Sequence, residues 1–472
     1  MAKHSRRDFL KMLGATSAAL SIPAKATPAE LSPRAPSKDA LPNIVLLLAD
    51  DLSAPDLGSY GNEAIGTPNL DGLAQTSTRF TRAYAPSPQC SPTRASLLTG
   101  RSPHVTGASR LHAPALPEFP SIITMLKGAG YFTGAYRKTH QPLIEKQFDF
   151  YGDDAEPLES FFQQRPNDAP FFLWFGSQDP HRPYFKGAFE PPHSPSAVHV
   201  PDFLPDTEEV RKDLARYYDR ISRFDKDCGT ILGLIESQGL KESTLVIMTA
   251  DNGMPFPRAK GTLYEAGIRM PLLIRWPSKI AQGSISDALV TLLDIPATIV
   301  DALGLEASGE FEGLSLLAIL SGSQPREFIF AERNWHDNWD PMRCVVSERF
   351  KLIRNYRPEV GYLPTLDILE SPSFQEIARL AKEKRLTGLL AWYLQTSRES
   401  FELYDIQADP LEQKNLAKDP VYLEVFQAHQ RSLSDWMIQT SDFLPPPIGF
   451  YPGDYSAYQQ FIDPLNGIAP RL

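Results

Sequence analysis

Four apolar runs end abruptly in polar and charged clusters, and this recurrence constrains the fold more than any other feature of the chain. Asn43-Ile44-Val45-Leu46-Leu47-Leu48-Ala49 stops at Asp50-Asp51, and Gly130 to Tyr136 precedes Arg137-Lys138-Thr139-His140. Phe171 to Phe175 leads to Gln178-Asp179-Pro180-His181-Arg182, and Thr244 to Thr249 leads to Asp251-Asn252-Gly253. A short continuous apolar run suits a strand buried on both faces, as in a parallel sheet covered by helices. Helical patterns lie between the runs, at Pro68 to Thr78 and Thr207 to Gln238. The alternation predicts an α/β domain with a mostly parallel sheet sandwiched by helices, which binds ligands beyond the carboxyl ends of its strands. Every polar cluster falls at such an end, so one composite site is the economical expectation.

From about Arg326 the pattern changes to short strand-like segments, Phe328 to Ala331, Met342 to Val346 and Lys351 to Asn355, then a helical stretch near Phe374 to Lys384. A smaller C-terminal α+β subdomain with an antiparallel sheet is expected there. The expected boundaries are 43–325 for the catalytic domain and 326–472 for the subdomain, behind a Pro-, Ser- and Ala-rich linker over 27–42. The Pro-rich tail after Leu444 reads as an irregular wrap.

A net charge of −10 disfavours a general nucleic-acid or anionic-membrane surface, so a polyanionic substrate must be captured by local positive charge. Three cysteines, Cys90, Cys228 and Cys344, are too few for a disulfide framework. Cys228 and Cys344 read most simply as core thiols, with pairing between them left open.

Asp50 and Asp51 put two carboxylates side by side after a buried strand, which is tolerable with a cation nearby, and Asp251-Asn252 repeats the arrangement. Three carboxylates and an amide oxygen form a hard-oxygen set suited to Ca²⁺ or Mg²⁺, whereas no Cys/His cluster has zinc spacing. Taken singly, each pair also suits an ordinary turn or cap. In Cys90-Ser91-Pro92-Thr93-Arg94, Ser91 and Pro92 read as the N-cap and first position of a helix, which places Cys90 where backbone N–H groups favour an anion.

That run, continued by Leu97-Leu98-Thr99-Gly100-Arg101, resembles the signature of the type I sulfatases, of the alkaline phosphatase superfamily. Phe401-Glu402-Leu403-Tyr404-Asp405 with Asp409-Pro410 and Asn415-Leu416 resembles their C-terminal signature. The resemblance implies an alkaline-phosphatase-like fold and oxidation of Cys90 to formylglycine by a cytoplasmic formylglycine-generating enzyme. It also implies one Ca²⁺ held by Asp50, Asp51, Asp251, Asn252 and the group derived from Cys90. By the same resemblance, Arg94 and Lys138 hold the formylglycine and sulfonate oxygens, His140 handles protons at the hydrate, and His181 and Lys260 face the leaving group. One departure is Arg137, where the family usually has glycine before Lys-x-His.

Within the family, Asp251 to Pro257, Asp179-Pro180-His181-Arg182, Pro341-Met342-Arg343 and Ser371 to Gln375 are most similar to the N-sulfoglucosamine sulfohydrolase (sulfamidase) branch. This implies release of sulfate from heparan-type saccharides, with Asp179, Arg182 and Arg343 as candidate substrate contacts. The runner-up is an O-sulfatase acting on another sulfated polysaccharide. A phosphatase or phosphonate hydrolase of the same superfold would present a Thr or Ser nucleophile and often further His ligands, and a non-catalytic carbohydrate-binding protein would be missing members of the cluster.

Ser5-Arg6-Arg7-Asp8-Phe9-Leu10-Lys11, the apolar stretch Met12 to Ile22 and Ala24-Lys25-Ala26 resemble a twin-arginine signal peptide over residues 1–26. The implied route is export by the twin-arginine translocase to the periplasm or beyond. The apolar stretch is short for a bilayer, so no stable membrane insertion is expected after cleavage.

Overall fold

The computed structural model describes residues 41–166, 169–305, 311–324 and 326–444. The expected signal peptide and almost all of the linker, like the tail after Leu444, lie outside the described residues. The chain divides into Met1–Ser37 and Lys38–Leu472, and everything below belongs to the second unit.

The first eight strands are β1 (Asn43–Ala49), β2 (Thr78–Tyr84), β3 (Phe132–Arg137), β4 (Phe150–Gly152), β5 (Phe171–Gly176), β6 (Thr244–Ala250), β7 (Arg269–Arg275) and β8 (Ser284–Thr291). They form one sheet in the order β4-β3-β5-β1-β6-β7-β2-β8, in which β7 alone runs antiparallel to its neighbours. β1 occupies the middle, in register with β5 (Ile44 opposite Phe172) and β6 (Ala49 opposite Ala250). Ile44, Val45, Leu46, Leu47 and Leu48 are all fully buried, each contributing about 1.5–3 kcal/mol of hydrophobic stabilisation.

The 30-residue helix Glu208–Ser237 covers one face. Its buried Val210, Leu214, Tyr217, Ile221, Phe224, Cys228, Ile231 and Ile235 recur at alternating steps of four and three, a continuous apolar stripe. The hydroxyl of Thr207 caps its first turn by accepting from Val210 N.

The second sheet is antiparallel, in the order β12-β11-β10-β9, with β9 (Ile329–Trp335), β10 (Trp339–Val346), β11 (Phe350–Asn355) and β12 (Phe401–Asp405). Strand alternation divides its faces. Met342, Cys344, Val346 and Ile353 pack with Tyr84, Leu263 and Ile268 of the larger domain. Val345, Leu352 and Leu403 pack with Leu433 and Trp436 of the C-terminal helix Leu423–Gln439. All three cysteines are free and buried. Among the described residues no helix is long and apolar enough to cross a membrane.

Candidate active site

β3, β5, β1 and β6 are consecutive neighbours, and their carboxyl ends deliver the clusters Lys138 to His140, Asp179 to Arg182, Asp50-Asp51 and Asp251-Asn252 to one edge. The strand ends and loops at this edge are unusually constrained. Asp51, Arg137, His140 and Arg258 all adopt left-handed backbone conformations, with φ of 72°, 63°, 60° and 67°. Such conformations are costly for residues other than glycine and concentrate at functional sites.

Asp50, Asp51 and Asp251 are buried and offer carboxylate oxygens within 4.8 Å of one another. Asp251 Oδ1 accepts from Asp51 N at 3.1 Å, and Asn252 Nδ2 donates to Asp51 Oδ1 at 2.7 Å, which leaves Asn252 Oδ1 free. Asp50 Oδ1 and Asn252 Oδ1 are buried acceptors without a hydrogen-bond donor. Each such orphan costs about 1–3 kcal/mol, and a hard cation at this point satisfies both. Burial, followed by repulsion from Asp50 and Asp51, pushes Asp251 up to about 7. Asp50 is held low, because Lys138, His181 and Arg94 together outweigh its burial. The donor set therefore fits a divalent metal, which would take hard oxygen ligands and the two unpaired acceptors.

Cys90 opens the helix Cys90–Thr99 with Gln89 as N-cap, two residues earlier than the sequence expectation of Ser91 as cap. Gln89 is extended and its carbonyl accepts from Thr93 N at 3.2 Å, so the helix needs no Ser/Pro start. The helix is buried throughout. Burial pushes the Cys90 thiol up to about 12, against the opposing effect of Lys138. An unmodified thiol here is therefore not a thiolate nucleophile at neutral pH.

Arg94 Nε donates to Asp251 Oδ2 at 2.7 Å, and its other nitrogens reach the Lys138 and Ser177 carbonyls. Gly176 makes room for that arrangement, since a Cβ there would lie 1.9 Å from Lys138 O. Lys138 Nζ donates to Asp50 Oδ2 at 2.5 Å. Burial works against both charges, but Asp251 and Asp50 outweigh it and raise both cations above their ordinary values. The opposite holds for His140, which burial, Lys138 and Arg94 drive down to about 2. It is a neutral base, its Nδ1 buried without a hydrogen-bond partner.

Arg137 takes, at the end of β3, the left-handed backbone that glycine adopts freely. Its guanidinium pairs with Asp154 and Asp227, so the extra charge is neutralised away from the substrate side.

Lys260 Nζ lies 2.8 Å from Asp51 Oδ2 and 2.8 Å from Asp367 Oδ2. Burial would lower it, yet the two carboxylates hold it well above its ordinary value. His181 Nε2 is 3.8 Å from Asp51 Oδ2 and 3.9 Å from Asp367 Oδ2, while its Nδ1 faces the Arg182 carbonyl. Asp367 was not anticipated from sequence. It stands in the short helix Leu366–Leu369 between the last two strands of the second sheet, with no motif to single it out.

Each of the three expected substrate contacts makes ion pairs inside the protein. Asp179 is buried against Arg220 and Arg223, and its carbonyl accepts from Asp50 N at 2.9 Å. Arg182 binds Asp213 with both terminal nitrogens, at 2.9 and 2.7 Å, and its ring-like plane lies over Tyr184 and Phe256. Arg343 is fully buried in a separate network with Asp442 and Glu332, the latter also binding His104. Both guanidiniums thus already serve carboxylates inside the protein.

The family model described as Sulfatase matches residues 42–156 and 148–305. This chain belongs to the sulfatase family. A second model, "N-sulphoglucosamine sulphohydrolase, C-terminal", matches residues 258–389, the span that carries Lys260 and Asp367. The chain is 32% identical to human N-sulphoglucosamine sulphohydrolase over 458 residues, covering 85% of this chain and 90% of that protein. It is 29% identical over 462 residues to an ulvan-active sulfatase of Formosa agariphila, covering 85% and 75%. A solved structure in complex with D-glucosamine-2-N,6-O-disulfate superposes with a TM-score of 0.64 at 19% identity, covering 87% of this chain and all of that one. The phosphonate monoester hydrolase of Agrobacterium radiobacter gives 0.65 at 18%, covering 84% and 96%. At these identities the likeness to both is one of fold, an alkaline-phosphatase-like sheet with its second antiparallel sheet. The sulfatase is thus a hydrolase, with its polar clusters gathered at the carboxyl edge of four adjacent strands.

Proposed function

We propose that this sulfatase hydrolyses the sulfamate S–N bond of N-sulfoglucosamine in heparan-type saccharides, releasing inorganic sulfate. The observation that carries the reading is the 32% identity to human N-sulphoglucosamine sulphohydrolase across 90% of that protein's length. The C-terminal model match over 258–389 supports it, since that span includes two groups at the leaving-group end of the site.

The reading includes two groups that the chain acquires. Asp50, Asp51, Asp251 and Asn252 would hold one Ca²⁺, and Cys90 would be oxidised to formylglycine. When present, the aldehyde hydrate supplies the oxygen nucleophile that attacks sulfur, and the ion lowers the energy of the negative charge gathered there. Arg94 and Lys138, kept charged by Asp251 and Asp50, orient that nucleophile and face the sulfonate oxygens. His140, neutral in its buried setting, takes up the hydrate proton. When the S–N bond breaks its electron pair goes to nitrogen, which must gain a proton to leave as an amine. His181 is the group placed to give it, with Lys260 assisting as a charged hydrogen-bond donor. Because the Arg182 carbonyl only accepts, His181 carries a hydrogen at Nδ1, and the proton it can deliver is the one on Nε2 of the imidazolium.

A second reading, an O-sulfatase acting on another sulfated polysaccharide, is favoured by the similarity to the ulvan-active sulfatase. Kinetics of sulfate release from N-sulfoglucosamine and from 6-O-sulfated N-acetylglucosamine separate the two. A higher kcat/KM on the sulfamate supports the first reading; turnover of the O-sulfated sugar alone replaces it with the second. The Arg6-Arg7 pattern supports twin-arginine export to the periplasm or medium, and an Arg6→Lys/Arg7→Lys precursor retained in the cytoplasm is the expected result.

A further inference from the structure

Lys260 and His181 are donors, and donors alone assist the departure of an ester oxygen as well as an amine nitrogen. Asp367 is different in kind. Its side chain is 20% exposed, beside the 29% exposed His181. Oδ1 is pinned by the Thr365 hydroxyl and by Ile368 N at 3.0 Å. Oδ2 takes Lys260 Nζ at 2.8 Å and lies 3.9 Å from His181 Nε2. A carboxylate oxygen has two acceptor positions, so one remains after Lys260 is served. The other carboxylate at this point, Asp51, belongs to the proposed metal set and already accepts from Asn252 and Lys260.

The leaving atom of a sulfamate, R–NH–SO₃⁻, carries a hydrogen, whereas the bridging oxygen of a sulfate ester carries only lone pairs. We infer that Asp367 is a specificity-determining residue that accepts the leaving-group N–H of a sulfamate, and so favours S–N over S–O substrates. The assignment rests on the proposed placement of His181 and Lys260 at the leaving group. It adds what those donors lack, an acceptor that rewards nitrogen and sets a negative charge against an ester's lone pairs. Sites built to bind a substrate N–H discriminate strongly against analogues without it.

The test compares Asp367→Asn with the unaltered, metal-loaded enzyme on N-sulfoglucosamine and on an activated aryl sulfate, with thermal unfolding as a check on folding. The expected result is a fall of about 10- to 100-fold in the ratio of kcat/KM for the sulfamate to that for the aryl sulfate, the size of one lost charge-assisted hydrogen bond. Thr365→Val, which loosens Asp367 without removing its charge, should move the ratio in the same direction by less, and it stands in if Asp367→Asn does not fold. Parallel loss on both substrates, or an unchanged ratio, overturns the assignment while leaving the sulfamidase reading intact. An unaltered enzyme that cleaves O-sulfates and no sulfamate overturns that reading first, and this assignment with it.

Discussion

Lys260 and Asp367 meet at 2.8 Å across the two parts of the molecule, an ammonium from the loop after β6 and a carboxylate from the C-terminal region. The same ammonium holds Asp51, also at 2.8 Å, so one buried cation ties the metal-type cluster to the leaving-group end. Lys260→Ala removes the shared partner of the buried Asp51 and the partly exposed Asp367. The expected loss is about 3–5 kcal/mol of unfolding free energy, read from denaturant midpoints, together with loss of turnover. Unchanged stability would contradict the buried ion-pair account.

The proposed calcium site carries a pH signature. Asp251 stands at about 7 in the metal-free protein against 3.8 for a free carboxyl, so the folded state binds the extra proton between those values. Its contribution to stability therefore falls as pH rises through that window, whereas Asp50, shifted downwards, acts only below it. Calcium relieves the repulsion, so the rise in Tm on adding it should be larger near about pH 8 than near about pH 5. Differential scanning calorimetry with and without chelator checks this, and an equal rise at both values would count against Asp251 as a ligand.

His140 should set the height of the pH–rate profile and none of its limbs. Burial, Lys138 and Arg94 keep it neutral from about 2 upwards, so it is a base throughout the working range. His140→Gln is expected to lower kcat/KM by about 10²- to 10⁴-fold, the usual worth of a general base, with the profile's midpoints unmoved. A limb that vanishes in this variant would mean that His140 titrates in the working range.

Arg343 is expected to be structural. Arg343→Met leaves Asp442 and Glu332 without their buried cation, which should cost about 3–5 kcal/mol. KM for the saccharide should stay unchanged in the folded fraction. A raised KM without loss of stability would restore this residue to the substrate side.

The arrangement of the large sheet was legible because β1, β3, β5 and β6 are continuous apolar runs that stop at charged residues. Strands without that signature escaped notice. β2 mixes threonine and arginine with its apolar residues, and the outer strand β8 begins with alternating exposed positions, so neither stands out from a loop. The candidate metal set was readable because its members are adjacent pairs at strand ends. Asp367 was not, since nothing in its surrounding sequence sets it apart and only tertiary packing brings it to Lys260. Arg182 and Arg343 misled for a related reason: an arginine beside a motif looks available, and only tertiary packing reveals the Asp213 and Asp442 that occupy it.

The account depends most on the state of Cys90. With its thiol pushed up to about 12 by burial, the unmodified residue makes a poor nucleophile, and the cations Lys138 and Arg94 beside it would have nothing to orient. Peptide mass spectrometry on active protein reads that state directly. The account predicts an aldehyde or its hydrate at Cys90, with specific activity rising in proportion to the converted fraction; fully active protein that carries an intact Cys90 thiol would contradict it.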